Sequence, residues 1–357
     1  MNFSRNVVPV VVLCLLLGVP QVWAGSKDKP ATFREMITKK AAPEPRVASA
    51  AIFREKANQL AIFGGWLQML SSKGDIWTLD LKTKEWSRIK PKNGDLKKIA
   101  LSSTAVYDKA RDRLIVMMLK IDGGFETHWY SFADNKWNAV PSTSDTPSAR
   151  EIPKPAQDTK TDSLVLFGGS AWANPDFTRY RIMYYNDLYT LSLKDLKYKK
   201  LEAKGQIPQP RGGHCQIYDP KTQSVVVFGG VGADKQGATV VFNDLYVLDL
   251  KTIEWRKINA KGITPRPRSL HSAVYDPLKH RILVFGGEGA KGKLFAEILQ
   301  LDLKTYTWSL ASTKSPITLQ LSNTASTWDQ KGKRVLLFGG VQPGMMFMNS
   351  VWEFVTK

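Results

Sequence analysis

Short apolar runs that end on a pair of glycines recur along the chain, each followed by a second strand-like run and then an aromatic residue. The pattern is clearest from Arg268 to Trp308. It reads Arg268-Ser269-Leu270-His271-Ser272-Ala273-Val274-Tyr275-Asp276, then Arg281-Ile282-Leu283-Val284-Phe285-Gly286-Gly287, then Ile298-Leu299-Gln300-Leu301-Asp302, then Trp308. The pairs stand at Gly64-Gly65, Gly168-Gly169, Gly229-Gly230, Gly286-Gly287 and Gly339-Gly340, and Met118-Leu119 fill the slot in a degenerate second copy. First positions step by 54, 50, 61, 57 and 53 residues. Apolar runs of this length bounded by turn residues predict strands. Six copies of about 55 residues predict a radial or stacked array, in which units of four short strands pack face to face because none can bury both faces alone.

The apolar run with its Gly-Gly, the following Asn243-Asp244-Leu245-Tyr246-Val247-Leu248-Asp249 and the closing Trp255 resemble the kelch-repeat β-propellers. The resemblance covers about residues 32 to 357 and implies an all-β, six-bladed propeller, with blades starting near residues 46, 100, 150, 211, 268 and 321. Glycine at the end of the second strand permits a backbone turn or a close approach that a side chain would block.

The sixth copy lacks its outer strand, since the chain stops after Val351 to Val355. Phe33-Arg34-Glu35-Met36 followed by Pro43-Glu44-Pro45-Arg46 matches Trp255-Arg256-Lys257-Ile258 followed by Pro265-Arg266-Pro267-Arg268 at a constant offset of 222. Residues 32 to 37 are therefore expected to be the outer strand of the last blade, closing the ring without an open edge. Ahead of it, Arg5, the apolar stretch Val7 to Val19 and the small-residue site Val22-Trp23-Ala24 predict a signal peptide over residues 1–24, with residues 25–357 as one propeller domain. Export to the periplasm or the exterior follows as an expectation.

Two cysteines are present, and Cys14 lies within the signal, so Cys215 stands alone and packing must stabilise the exported domain without a disulfide. The formal net charge is +19, much of it in short turns such as those at Lys82, Lys251, Lys304 and Lys331 to Arg334. Such turns are either a solvated face or a surface for peripheral contact with an anionic envelope polymer. They lack the interleaved aromatic and basic groove of single-strand binders, so no specific nucleic-acid partner is expected.

Alternating strand direction gathers the more informative residues on one face. Arg46, Arg150, Arg211 and Arg268 open the inner strands of blades 1, 3, 4 and 5, while Ala100 and Leu321 hold those places in blades 2 and 6. In kelch propellers that bind acidic peptides, arginines at this strand opening contact ligand carboxylates. The resemblance thus implies an anion-binding mouth, and local pairing with a carboxylate or loop carbonyl is the other reading. The loops between second and third strands add Trp66, Met69 and Leu70 in blade 1 and Met345, Met346, Phe347 and Met348 in blade 6. The longest, Ser170 to Asn186 in blade 3, carries Trp172, Phe177, Arg179, Tyr180, Arg181, Tyr184 and Tyr185, a mixture suited to stacking on a sugar or clasping a peptide.

His214 and His271 occupy equivalent positions three residues after Arg211 and Arg268, and no carboxylate or cysteine cluster completes a metal set around them. No metal, cofactor or catalytic residue is expected, nor can the Tyr, His and Cys–Tyr pattern of galactose oxidase be assembled. Sialic acid mutarotase, another exported kelch protein, matches in architecture alone. The expected function is a monomeric binding scaffold for a protein or anionic glycan. A carbohydrate-active enzyme on an anionic sugar is the alternative.

Overall fold

The computed structural model describes residues 30–356 apart from 68–70, 98, 121–123, 152, 173–181 and 315–318, so the signal-peptide expectation lies outside the described residues. Six four-stranded antiparallel sheets are arranged as the blades of a propeller. Blade 1 runs through Ala50–Arg54, Gln59–Phe63, Ile76–Asp80 and Trp86–Ile89; blade 2 through Ile99–Asp108, Arg113–Lys120, Phe125–Ser131 and Lys136–Val140. Blade 3 comprises Ala156–Asp158, Ser163–Trp172, Ile182–Ser192 and Tyr198–Leu201, and blade 4 comprises Cys215–Asp219, Ser224–Ala233, Thr239–Asp249 and Glu254–Ile258. Blade 5 uses Ser272–Asp276, Arg281–Phe285, Ile298–Asp302 and Thr307–Leu310. Blade 6 uses Ala325–Asp329, Arg334–Phe338, Val351–Val355 and, as its outer strand, Thr32–Met36 paired from Thr32↔Val355 to Met36↔Val351. Among the described residues no helix is long and apolar enough to cross a membrane.

Each blade has two apolar faces because its strands are covered on both sides by neighbours, which explains near-continuous runs such as Leu114-Ile115-Val116-Met117 in place of strict alternation. The buried apolar side chains fall into six clusters, each between two adjacent blades, including one that joins Ala51, Leu60 and Trp86 of blade 1 to Leu336, Phe338 and Val351 of blade 6. The outer-strand aromatic of one blade meets the phenylalanine that precedes Gly-Gly in the blade before it. Ring centroids are 4.7 Å apart for Trp308–Phe228, 4.8 Å for Trp255–Phe167, 5.4 Å for Trp137–Phe63 and 5.6 Å for Trp86–Phe338. Such pairs contribute beyond their buried area when tilted or edge-on, as here.

Outer edges are shielded by the linkers. Lys204–Gly205 and Lys261–Gly262 add a parallel strand to the outer edges of blades 4 and 5. Ala31 bridges Thr313 and Lys39 bridges Glu85 in the same parallel sense, so the N-terminal segment takes part in this edge covering on both sides. Phe33 stacks on Trp352 at 5.2 Å and Arg34 pairs with Glu353 at 2.5 Å.

Deleting residues 25–40 is expected to lower the melting temperature of the whole domain in one transition, because the last blade loses its outer strand and its cover. Calorimetry of the chain beginning at residue 25 and of the truncated form checks this. An unchanged transition with unchanged oligomeric state would refute the role given to the N-terminal strand.

Candidate functional site

The four arginines stand at the inner-strand openings, as their spacing predicts, but Arg46, Arg211 and Arg268 are fully buried and Arg150 nearly so. Their donors are turned inward onto the protein. Arg46 donates from Nε to the Glu44 carbonyl at 3.0 Å, from Nη1 to the Gly64 carbonyl at 3.0 Å and to Asp75 at 2.7 Å. Arg211 repeats this on Gln209 at 3.1 Å, Gly229 at 3.0 Å and Asp244 at 2.6 Å. Arg268 does so on Arg266 at 3.2 Å, Gly286 at 2.9 Å and Glu297 at 2.6 Å. Arg150 uses Ser148, Gly168 and Asp187. Aromatic rings cover three of the guanidinium planes: Tyr185 lies 3.6 Å from Arg150, Phe242 4.2 Å from Arg211 and Phe295 4.5 Å from Arg268.

This geometry corrects the anion-binding mouth. A guanidinium with its carboxylate, its glycine carbonyl and its own loop carbonyl already in place has no accessible fork to offer a ligand. The local-pairing reading is the one the contacts fit. Asp75, Asp187, Asp244 and Glu297, which complete the set, were missed by sequence reasoning; Asp75 and Glu297 stand directly before the third strand of their blades, and Asp187 and Asp244 lie within it. Blade 6 shows the signal that was there to be used, since Leu321 in the arginine place is matched by Ser350 in the acid place. In blade 2, where Ala100 replaces arginine, Glu126 keeps the acid place but pairs with Lys120 and His128, each at 2.8 Å.

The glycine pairs are tied to the same clamp. Their φ values are positive at both positions, +65° and +102° at Gly229 and Gly230 for instance, a region that favours glycine. The Gly230 N–H donates to the Arg268 carbonyl of the next blade at 2.8 Å, and Gly169, Gly287 and Gly340 do the same to Arg211, Leu321 and Arg46. A Cβ at Gly230 would lie 2.8 Å from the Gly212 carbonyl oxygen.

His214 and His271 are buried between blades, their rings edge-on to Phe167 and Phe228 of the preceding blade at 5.5 and 5.3 Å. Burial, then the neighbouring arginines, pushes both imidazoles toward the neutral form, His271 down to about 3 and His214 well below its usual value. Among the described residues no group of three or more His, Cys, Asp or Glu side chains is placed to hold a metal ion. Burial raises the carboxyls of Asp75 and Glu297, but the arginine bonds outweigh it and hold both below their usual values.

Above the clamp lie the loops. Trp66 is half-buried against Phe347, 6.2 Å away, which joins the loops of blades 1 and 6. Tyr184 is half-buried on the long hairpin of blade 3, and burial raises its hydroxyl pKa. Met345 and Met346 are 66% and 53% exposed, and Ile182 and Met183 are 39% and 43% exposed. Trp172 ends its strand, while Phe177, Arg179, Tyr180 and Arg181, together with Met69 and Leu70, lie outside the described residues. The first residues of the inner strands surround a central cavity of about 220 Å³.

Comparison with known proteins agrees with this architecture. Residues 221–357 match the KLHDC2/KLHL20/DRC7 Kelch-repeats domain, and residues 130–276 match the Attractin/LZTR1 beta-propeller. Similar proteins include acyl-CoA-binding domain-containing protein 4 of Arabidopsis thaliana, 29% identical over 75% of this chain and 39% of its own length. Host cell factor homolog hcf-1 of Caenorhabditis elegans is 30% identical over 52% of the chain and 24% of its own length. For human host cell factor 1 the figures are 29%, 62% and 11%. The chain therefore spans well under half the length of these relatives.

Replacing Arg211 by Leu is expected to destabilise the domain by about 3–5 kcal/mol, the usual cost of stripping the partner from a buried charge. Adding Asp244→Ser should recover a large part, because Leu321 with Ser350 already serves blade 6. Urea unfolding of the single and double variants measures the coupling, and additive losses would overturn the clamp. The sign of the pH dependence follows from the depressed values. The unfolded chain takes up protons on His214 and His271 below about pH 6.5 and on Asp75 and Glu297 below about pH 4, whereas the folded chain resists both. Stability should be full at neutral pH, fall as pH drops through 6.5, and fall again below 4. Denaturation midpoints between pH 7.5 and 3.5 check this, and His271→Phe should flatten the first step.

Proposed function

Because the chain belongs to the kelch-repeat β-propellers, we propose that it is an exported binding scaffold whose loop face receives a protein partner. The observation that carries this reading is the set of exposed apolar side chains on that face: Ile182 and Met183 on the blade 3 hairpin, Met345 and Met346 in the blade 6 loop. Loops on a rigid ring carry recognition because they vary without disturbing the blades. Methionine supplies an adaptable apolar surface, and large exposed apolar side chains on one face favour a partner with matching apolar anchors. The net charge of +19 favours an acidic periphery on that partner and speeds the encounter. With Arg46, Arg150, Arg211 and Arg268 consumed internally, no guanidinium cluster faces the mouth among the described residues, which favours a protein surface over an anionic glycan. Export rests on the apolar run ahead of residue 25 with its small-residue cleavage site.

Crosslinking in the native host, read by mass spectrometry, tests the surface. Crosslinks to a partner are expected on residues 182–186 and 341–349. They should fall at least about tenfold when Ile182, Met183, Met345 and Met346 are all replaced by Ser. Lys82→Ala with Lys304→Ala, in turns at the other end of the ring, should leave them unchanged. Crosslinks confined to the Lys82 and Lys304 turns would move the binding surface to the basic end and refute the proposal. N-terminal sequencing of the purified protein should begin after Ala24.

A further inference from the structure

The wall of the central cavity departs from its own repeat at one place. Four residues after each blade start, and opposite the residue that precedes the Gly-Gly slot, the chain places Ala50, Thr104, Cys215, Ser272 and Ala325, paired with Phe63, Met117, Phe228, Phe285 and Phe338. All five are small. In blade 3 the corresponding residue is Lys154, between Pro153 and Pro155. The two prolines supply no N–H for a ladder, and the inner strand of blade 3 accordingly shrinks to Ala156–Asp158. Freed from the sheet, the Lys154 side chain extends across the cavity, and Nζ donates to the Ser326 carbonyl of blade 6 at 3.0 Å.

The setting of this ammonium is unusual. More than a third of Lys154 is exposed and opens onto the cavity, and desolvation by the surrounding ring still lowers its pKa to about 8. Among the described residues the other titratable groups on the cavity wall are Glu151, His214, Cys215 and His271. Both imidazoles are held neutral and burial pushes the Cys215 thiol up to about 12, so near neutral pH none of them supplies a positive charge. Glu151 has an interaction of its own and makes no contribution to Lys154. Among the described residues Lys154 takes part in no ion pair, and the Ser326 carbonyl accepts one of its three N–H groups. An ammonium that opens onto a protein-lined cavity with two N–H groups still to place is a donor for a small oxyanion, which would accept charge-assisted hydrogen bonds from it.

We propose that the central cavity is a binding site for a small oxyanion, of the carboxylate or phosphate class, anchored on Lys154 and enclosed by the hydroxyl-bearing wall at Thr104, Thr324 and Ser326. The site is separate from the loop surface and takes a ligand of different size, so it stands or falls independently of the protein-binding reading.

Acetate, malonate and inorganic phosphate, each titrated at constant ionic strength and pH 7 against chloride, are the probes. At least one should raise the melting temperature of the full exported domain saturably, and Lys154→Met should weaken that response at least about tenfold. Carboxylates and phosphate are separated by which arm responds. As a second measurement, reductive methylation with labelled formaldehyde followed by NMR should show a lysine signal, absent in Lys154→Met, whose titration midpoint lies well below the other lysines. The effective anion should move that midpoint upward by about one pH unit, a tenfold preference for the ammonium form. No saturable response to any of the three, or the same response in Lys154→Met, would leave Lys154 as a strut between blades 3 and 6 and overturn the site. If Lys154→Met does not fold, an unmoved midpoint in the wild-type signal has the same force.

Discussion

The rest of the structure hangs on a buried guanidinium that must satisfy its donors without water. That requirement recurs in blades 1, 3, 4 and 5, and it explains residues far apart in sequence. A carbonyl has to face the arginine from the first glycine of the pair, and a carboxylate has to stand opposite it at or before the third strand. Gly229 and its equivalents take positive φ there, and in blades 3 and 4 the strand pairing shifts register at the glycine pair before the second strand runs on. The backbone of the arginine then serves the preceding blade, whose second glycine donates to its carbonyl, as Gly340 does to Arg46 at 3.0 Å. One residue thus fixes the geometry within a blade by its side chain and the spacing between blades by its main chain. Buried ion pairs contribute little net stability over apolar packing. Blade 6, with Leu321 and Ser350, shows that a blade can be built without one. The value of the clamp lies in specifying a single arrangement of strand ends, the best-attested role of buried polar groups.

Fold and site differ in how far the chain reveals them, and the reason is the range of the interactions. Blade composition depends on neighbours within about 55 residues, and repetition multiplies that signal, so the all-β propeller was legible from apolar runs, Gly-Gly pairs and outer-strand aromatics. The outer strand of blade 6 was legible because Phe33 to Arg46 copies Trp255 to Arg268 at a fixed offset. The arginines were located correctly, but ligand binding and local pairing stayed open for them, because position in a repeat says where a side chain starts and not whether a carboxylate fills its fork. The acid that decides this stands 33 residues from Arg211 and 37 from Arg150, across loops of variable length. Comparing the blades with one another, Leu321 with Ser350 above all, would have disclosed the pairing. The Lys154 contact had no such signal, since its partner Ser326 lies 172 residues away on the opposite blade.

Electrostatics and packing are distributed accordingly along the axis of the ring. Histidines of the repeat sit between blades as neutral aromatic wedges against Phe167 and Phe228, and their suppressed basicity follows from burial and from arginines that are themselves neutralised by carboxylates. The net positive charge is carried instead by exposed turns, where solvent screens it and where it governs encounter rather than fit.

A ring of near-copies confines specific chemistry to the places where a copy departs from the rest. Blade 3 departs most: it has the shortest inner strand and the one long cationic side chain at a level where the other blades place Ala, Thr, Cys or Ser. These departures are mechanically connected. Pro153 and Pro155 remove ladder donors, the strand shortens, and Lys154 between them is directed across the axis, while the Arg150 clamp, capped by Tyr185 from the long hairpin, holds the start of the blade. The same hairpin carries Ile182 and Met183 outward. One blade therefore supplies both an apolar feature on the loop face and a charged one in the cavity, and the five regular blades supply the rigid frame that keeps the two apart.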